Sequence, residues 1–318
     1  MTRAALCVMG ADPFLDAYWI RHFRSWADQV DELRVVFCGV DDQAHRALLR
    51  AALWDLPASA EWMPLGTDHG VAIREGMQGC RADVVMLCEE DAYVCKPGMV
   101  GEQFARIERG EADIVGGPRG TMTPELRSWA NAKYGELTGQ TGEAGPILWP
   151  CFLWARRADL ERTDQHYGAI GWEPGARILG ETYPERQSAD TFGWASLQLR
   201  ELGLRVHVEA QYRADFGAMA GWSDPPWFHV GGLSTGWGMY VMGPDSHDPS
   251  AMRDQDLTDW TKRVAWWQRM AEKAPGPPGL AEPYRASVDR LVSAMGMDRE
   301  QIAAWDRAFG RLVTWPET

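Results

Sequence analysis

The sequence predicts an α/β fold in which a mostly parallel central sheet is flanked by helices and followed by a C-terminal helical appendage. Short apolar runs bounded by glycine or acidic residues alternate with segments whose apolar residues recur at helical spacing. The run 82–88 is apolar almost throughout, which is typical of a central strand buried on both faces. Sheets of this kind bind their ligands at the carboxyl ends of the strands.

The individual elements follow from these runs. The first strand, 4–10, precedes a helical pattern over 15–30, and a second strand over 32–42 precedes a helix over 43–53. The remaining predicted strands share the same apolar character and are 60–66, 82–88, 110–120 and 204–210, and the stretch 151–162 is predicted as a strand followed by the start of a helix. The remaining predicted helices share apolar residues three and four apart and are 70–80, 191–203 and 252–274, with one or two more over 284–313.

Composition limits the classes of function. The chain has 318 residues and a formal net charge of −13, which disfavours nucleic acid and an anionic membrane as partners. Six cysteines without a CxxC pair indicate a reducing compartment, and neither a signal peptide nor a run of roughly 18 apolar residues is found. We therefore expect a cytoplasmic protein. Its 17 tryptophans provide flat surfaces of the kind on which sugar rings and nucleobases stack.

Three consecutive carboxylates, Glu89, Glu90 and Asp91, follow the buried strand at 82–88, before an aromatic residue and a Pro-Gly stop. If the chain stays extended, Glu89 and Asp91 point to one side and Glu90 to the other. Two carboxylates on one side make a site for Mg²⁺ or Mn²⁺, which keeps several waters and takes substrate phosphate oxygens as further ligands. The alternative is a solvated acidic turn that closes the strand.

Two further stretches carry candidate residues. Asp190 stands at the start of the helix predicted over 191–203, where it can serve as the N-cap of that helix. His229 lies in a segment rich in glycine and tryptophan, where a single histidine is more often a hydrogen-bonded structural residue. Trp227 beside it could stack on a sugar or base, or pack against the C-terminal helices.

The order of these motifs resembles the GT-A glycosyltransferases, in particular the large family-2-like group. The resemblance covers about residues 4–230 and implies that the triplet holds a metal on the nucleotide diphosphate through Asp91 and Glu89, with His229 as a further ligand. The block "SAD-TFGWASLQLRELGLRV" implies that Asp190 is the base, although Ala189 replaces the usual Glu.

The resemblance also implies the residues of a donor site. Asp41 and Asp42 end the second strand, where the family binds the base or ribose, although either could instead cap the following helix. Gly117 lies in a glycine-rich turn where the backbone can approach a sugar or phosphate closely. Glu90 and Trp227 complete the predicted donor-binding set.

The resulting prediction is a metal-dependent glycosyltransferase of the hexosyltransferase type that uses Mn²⁺ or Mg²⁺ and a nucleotide-diphosphate sugar such as a UDP-sugar. A saccharide is the leading acceptor, a hydroxymethylated base in phage-type DNA is the second, and inversion is the expected stereochemistry. The alternative is a non-catalytic carbohydrate-binding or nucleotide-sugar-binding protein of the same fold. We predict a catalytic domain over 1–245, divided at 120 into nucleotide-sugar and acceptor halves, and a helical extension over 246–318.

Other nucleotide-binding enzymes lack support in the sequence. The chain has no GxxxxGK[ST], which P-loop enzymes require, and no GxGxxG after the first strand, where "VMGADPF" stands instead. The first strand-helix turn also lacks the glycine-rich signature with Arg or Lys that a sugar-1-phosphate nucleotidyltransferase would need.

Overall fold

A seven-stranded sheet forms the centre of the protein, as seen in a computed structural model. The strands of this sheet are β1 (Arg3–Met9), β2 (Glu32–Cys38), β3 (Ala58–Met63), β4 (Val84–Glu89), β6 (Ile114–Pro118), β7 (Leu148–Arg156) and β12 (Val206–Val208), in the order β12-β6-β7-β4-β1-β2-β3. The structure describes residues 1–10, 19–20, 22–90, 92–94, 96–118, 123–138, 148–208, 227–229, 261, 264–265, 268–269, 272, 281–294 and 296–312.

The sheet is parallel except for β7, which runs antiparallel to both of its neighbours, β4 and β6. The carboxyl ends of the parallel strands and the beginning of β7 therefore lie at one edge, which we call the carboxyl edge. The predicted α/β class and the mostly parallel sheet are confirmed. Strands from both predicted halves, such as β4 and β7, belong to this one sheet.

Six further strands are short and lie outside the central sheet. They form two-stranded pairs and are β5 (Ala92–Val94) with β13 (Trp227–His229), β8 (Ile170–Trp172) with β11 (Gln187–Ala189), and β9 (Arg177–Ile178) with β10 (Glu181–Thr182). All three pairs are antiparallel. β5 begins with Ala92, directly after the acidic triplet, and β13 pairs with it.

The helices that the structure delimits are α1 (Gln43–Leu53), α2 (His69–Gln78), α3 (Gly98–Glu108), α4 (Pro124–Thr138), α5 (Arg157–Leu160), α6 (Gly193–Glu201), α7 (Ala281–Ala294) and α8 (Arg299–Leu312). Residues 19–20 and 22–23 are also helical, whereas most of the helix predicted over 252–274 lies outside the described residues. No helix in the described part of the chain is both long and apolar enough to cross a bilayer.

Side chains alternate along β1 between two cores. Ala5, Cys7 and Met9 face one core, which also contains aromatic side chains from residues 19–26 and residues of α3. Ala4 and Leu6 face the other core, which contains residues of α2 and α6. Because the sheet is covered on both faces, its central strands β1 and β4 are buried along almost their whole length, as parallel strands usually are. The five cysteines in the described part of the chain form no disulfide with one another and are mostly buried.

The edge of the sheet opposite the carboxyl edge is held by a cluster around Asp113. Its carboxylate accepts hydrogen bonds from the Arg205 backbone at 2.9 Å, from the Arg205 guanidinium at 3.0 Å and from Arg156 Nη1 at 2.7 Å. Hydrogen bonding to Arg205 is the largest of the causes that hold the pKa of Asp113 well below its usual range.

We expect Asp113→Ala to lower the free energy of unfolding by about 1–2 kcal/mol, since one partner, Arg205, is largely exposed and its ion pair is weakened by solvent. Urea unfolding measures this change. Glu111→Ala is the matched control, because it removes an exposed ion pair with Arg109 and should change stability little. Equal decreases in the free energy of unfolding in the two variants would contradict the structural role assigned to Asp113.

Candidate functional site

The acidic triplet begins at the carboxyl edge, where Glu89 is the last residue of β4 and Glu90 lies in the following turn. Both are buried, with 8% and 4% of their surface exposed, so the solvated-turn interpretation does not hold for them. Glu89 Oε1 lies 3.4 Å from His69 Nδ1, and Glu90 Oε2 accepts a hydrogen bond from the Gly10 backbone at 2.7 Å. The two carboxylates therefore contact different parts of the edge.

Helix α2 begins beside Glu89 and brings His69 to it. Asp68 caps this helix by accepting a hydrogen bond from the Val71 backbone at 3.1 Å. The next residue after His69, Gly70, packs directly on Gly168, since a Cβ built at Gly70 would lie 1.8 Å from the Gly168 nitrogen. The start of α2 is thus fixed against the loop that leads to β8.

The predicted metal ligands are only partly described. Asp91 lies outside the described residues, and for Trp227 and His229 the structure gives the backbone alone. The backbone of His229 pairs with Ala92, the residue that follows Asp91. Two carboxylates and an imidazole are suitable donors for Mn²⁺. Among the residues whose side chains are described, no group of three potential ligands comes together.

Asp190 lies directly after β11 and is half-buried. Its Oδ1 atom accepts a hydrogen bond from the Thr191 backbone at 2.8 Å. The residue also lines a pocket of about 570 Å³, which is large enough for a small ligand. The lining combines hydroxyl, apolar and carboxylate groups and consists of Thr123, Ala169, Ile170, Gly171, Ser188, Ala189 and Asp190.

The N-cap alternative for Asp190 does not agree with the structure. Helix α6 starts two residues later than predicted, and its N-cap is Phe192 in a left-handed conformation (φ 65°), with no capping side chain. Tertiary contacts stabilise this conformation: the Phe192 backbone donates a hydrogen bond to the Tyr167 carbonyl at 2.7 Å, and the two rings stack 5.4 Å apart. The Asp190 carboxylate is therefore not needed to cap the helix.

A series of contacts places Asp190 at the same edge as the triplet. Ser196 Oγ in α6 contacts both the nitrogen and the oxygen of Leu148, at 3.1 and 3.2 Å, and Leu148 begins β7 at the carboxyl edge. Tyr167, which binds the start of α6, immediately precedes Gly168, on which α2 rests. The residues at the starts of α2 and α6 are thus joined through one short loop.

The three other predicted donor-site residues take different positions. Asp42 caps α1, accepting hydrogen bonds from the backbones of Ala44 and His45 at 3.1 and 3.3 Å. Asp41 is exposed and lies 3.8 Å from Arg46. Gly117 lies near the carboxyl end of β6, where the pairing with β7 shifts register between Gly116 and Pro118. Both aspartates are exposed, and Asp42 is the one whose carboxylate is engaged in capping the helix.

Sequence reasoning missed two histidines at this site. His69 follows a strand-to-helix loop at the carboxyl edge, a position that could have drawn attention to it. His22 accepts a hydrogen bond from the Val94 backbone at 2.8 Å, just beyond the triplet. No local pattern indicates that contact, because the two residues are 72 positions apart.

Comparison with known proteins gives matches among solved structures alone. No protein-family profile matches the chain, and no curated protein matches it. The chain is similar to Staphylococcus aureus TarS (12% identity, TM-score 0.44, covering 93% of this chain and 90% of that one). It is also similar to the Pyrobaculum calidifontis mannosyltransferase PcManGT (11% identity, TM-score 0.45, covering 99% and 76%).

A third match is the Mycobacterium tuberculosis glucosyl-3-phosphoglycerate synthase, with 17% identity and a TM-score of 0.35 over 50% of this chain and 57% of that one. All three proteins were solved with a nucleotide sugar bound. The sugars are UDP-GlcNAc for TarS, GDP-mannose for PcManGT and UDP-glucose for the synthase, and Mn²⁺ is present in the last two complexes.

Proposed function

We propose that this chain is a glycosyltransferase that moves a sugar from a nucleotide-diphosphate sugar to an acceptor hydroxyl. The observation that supports the proposal is that the buried carboxylates of Glu89 and Glu90 lie at the carboxyl edge, where the start of α2 packs on the loop that leads to the pocket beside Asp190. The backbone of His229 pairs with Ala92, just beyond the triplet. The order of these residues along the chain is also the order that the resemblance to GT-A enzymes implies. Asp91, Glu89 and His229 would hold Mn²⁺ or Mg²⁺.

Asp190 is assigned the role of general base. Its carboxylate takes the proton of the acceptor hydroxyl while the hydroxyl oxygen bonds to the anomeric carbon and the bond from that carbon to the diphosphate breaks. One displacement of this kind inverts the anomeric centre. A bound divalent cation would neutralise the charge that develops on the departing diphosphate.

The acceptor is assigned to the pocket beside Asp190. Thr123 and Ser188 offer hydroxyl groups to a polyhydroxylated ligand, and Ile170 offers an apolar surface. A saccharide uses both kinds of contact. The net charge of −13 favours such an acceptor over DNA, whose phosphates the protein would repel.

Thermal unfolding with UDP-glucose, UDP-GlcNAc and GDP-mannose, each with Mn²⁺, Mg²⁺ or EDTA, tests the donor half of the proposal. We expect one nucleotide sugar to stabilise the chain in the presence of metal, by about 2.7 kcal/mol at a hundredfold excess over its dissociation constant. Asp91→Asn should remove the metal-dependent part of this stabilisation, and Asp28→Asn, which changes an exposed aspartate, should not.

Two outcomes would count against the proposal. Stabilisation by free sugars that requires neither nucleotide nor metal would favour the non-catalytic carbohydrate-binding alternative. A metal-dependent response that Asp91→Asn leaves intact would move the metal site away from the triplet.

A further inference from the structure

The segment that carries Asp91 is tied to the first strand-helix unit on both sides. Before Asp91, Glu90 Oε2 accepts the Gly10 backbone hydrogen bond at 2.7 Å. After it, the Val94 backbone donates a hydrogen bond to His22 Nε2 at 2.8 Å. Gly10 follows β1, and His22 lies in the helical residues that come next. Two hydrogen bonds from one unit therefore fix the ends of a segment of only five residues.

His22 can accept this hydrogen bond only in its neutral form. Its Nε2 lone pair receives the Val94 N–H, so the proton of the ring is on Nδ1. The residue is buried, and desolvation lowers its pKa to about 4. Its ring also packs edge-on against Tyr93, with 5.7 Å between ring centroids. Around neutral pH, the imidazole is thus held as a fixed acceptor.

The strand that His22 binds is short and buried. β5 has three residues, Ala92, Tyr93 and Val94, which are at most 5% exposed, and within the described part of the chain its backbone pairs with β13. A two-stranded pair of this size depends on packing and on further hydrogen bonds for its stability. The same pair sets the backbone of His229 opposite Ala92, so the position of β5 affects the backbone of His229.

We propose that His22 is a positioning residue for the predicted metal site: by accepting the Val94 hydrogen bond it holds β5, and with it the backbone of His229, in register. The inference rests on the proposed function. His22 acts through its contact with the Val94 backbone, and we assign it no contact with the metal or with either substrate. Outer residues that orient metal ligands in this way typically affect metal affinity by about 10–100-fold.

Two amide substitutions distinguish the effect of the His22 hydrogen bond from the effect of the volume of its ring. In His22→Gln, the side-chain oxygen reaches about as far as Nε2 and can accept the Val94 hydrogen bond. In His22→Asn, the oxygen reaches only as far as Nδ1 and leaves Val94 without its acceptor. The two variants share the same chemistry and differ in length, so each controls for the other.

The experiment measures Mn²⁺ affinity by calorimetry in the presence of UDP or GDP, and amide exchange of residues 92–94 by mass spectrometry. For His22→Asn, we expect faster exchange in this segment and Mn²⁺ binding weakened on the order of tenfold, with exchange in β1 and β2 unchanged. For His22→Gln, we expect both values to stay close to those of the wild type.

Three results would overturn the inference. If the Asn variant binds Mn²⁺ as tightly as the wild type, even with faster exchange, the hydrogen bond serves stability alone. If the Gln variant loses as much Mn²⁺ affinity as the Asn variant, the volume of the His22 side chain, and not its hydrogen bond, determines the affinity. If the wild type itself binds no Mn²⁺ with either nucleotide, the proposed function has failed, and the inference with it.

Discussion

Asp190→Asn lowers kcat by about 10²–10⁴ and leaves the affinity for the donor unchanged; this is the result that we expect if Asp190 is the general base. The amide keeps the oxygen that accepts the Thr191 backbone hydrogen bond, so the turn before α6 should be preserved. What the amide cannot do is take a proton from the acceptor hydroxyl. Steady-state kinetics with the donor found by thermal unfolding measures the effect.

Glu185→Gln is the matched control for this experiment. Glu185 is an exposed acid in the same segment, outside the residues that line the pocket, so its substitution should leave kcat unchanged. A kcat for Asp190→Asn close to that of the wild type would place the base elsewhere. A weaker affinity for the donor would indicate a binding role for Asp190 instead.

A second large effect is expected in the dependence of stability on pH. Burial lowers the pKa of His22 from 6.5 to about 4 in the folded chain. Between these values the unfolded chain binds the additional proton, so stability rises with pH and is lost as the pH falls from about 6.5. The loss is up to about 1.4 kcal/mol per pH unit and about 3 kcal/mol in total by pH 4.

Urea unfolding at pH 7, 6 and 5 measures this dependence. His22→Gln should give a flatter curve, because the amide does not titrate. Burial also lowers the pKa of His45, so the curve of His45→Gln is needed to separate the two contributions. Asp113, whose pKa is depressed, loses its contribution only below its unfolded value near 3.8, outside this range. Parallel curves for the wild type and His22→Gln would contradict the assignment.

The central sheet could be predicted from the sequence because its strands are buried on both faces. Such strands are short continuous apolar runs, which their length and their flanking glycine and acidic residues distinguish from buried helices. The acids that follow β2 and end β4 mark the carboxyl edge. The sequence does not predict helix α3, for a local reason. The Pro97-Gly98 pair indicates a stop, but proline is well tolerated at a helix start, and Pro97 is the N-cap of α3.

The details of the site depend on contacts between distant parts of the chain. Period-two alternation predicts opposite directions for Glu89 and Glu90, but it does not identify His69 and Gly10 as their partners. Likewise, the pattern around Asp190 is compatible with an N-cap, and only the packing of Phe192 on Tyr167 shifts the helix start. β5 and β13, with three residues each, are too short to show any period.

The contact between Gly70 and Gly168 also restricts how the protein can move. Backbone touches backbone there, so no side chain can change rotamer to let the two segments slide past each other. The beginning of α2, which contacts Glu89 through His69, and the loop that leads to the pocket beside Asp190 are therefore expected to move as one rigid joint. If the protein closes around substrates as the proposed function implies, the hinge has to lie elsewhere.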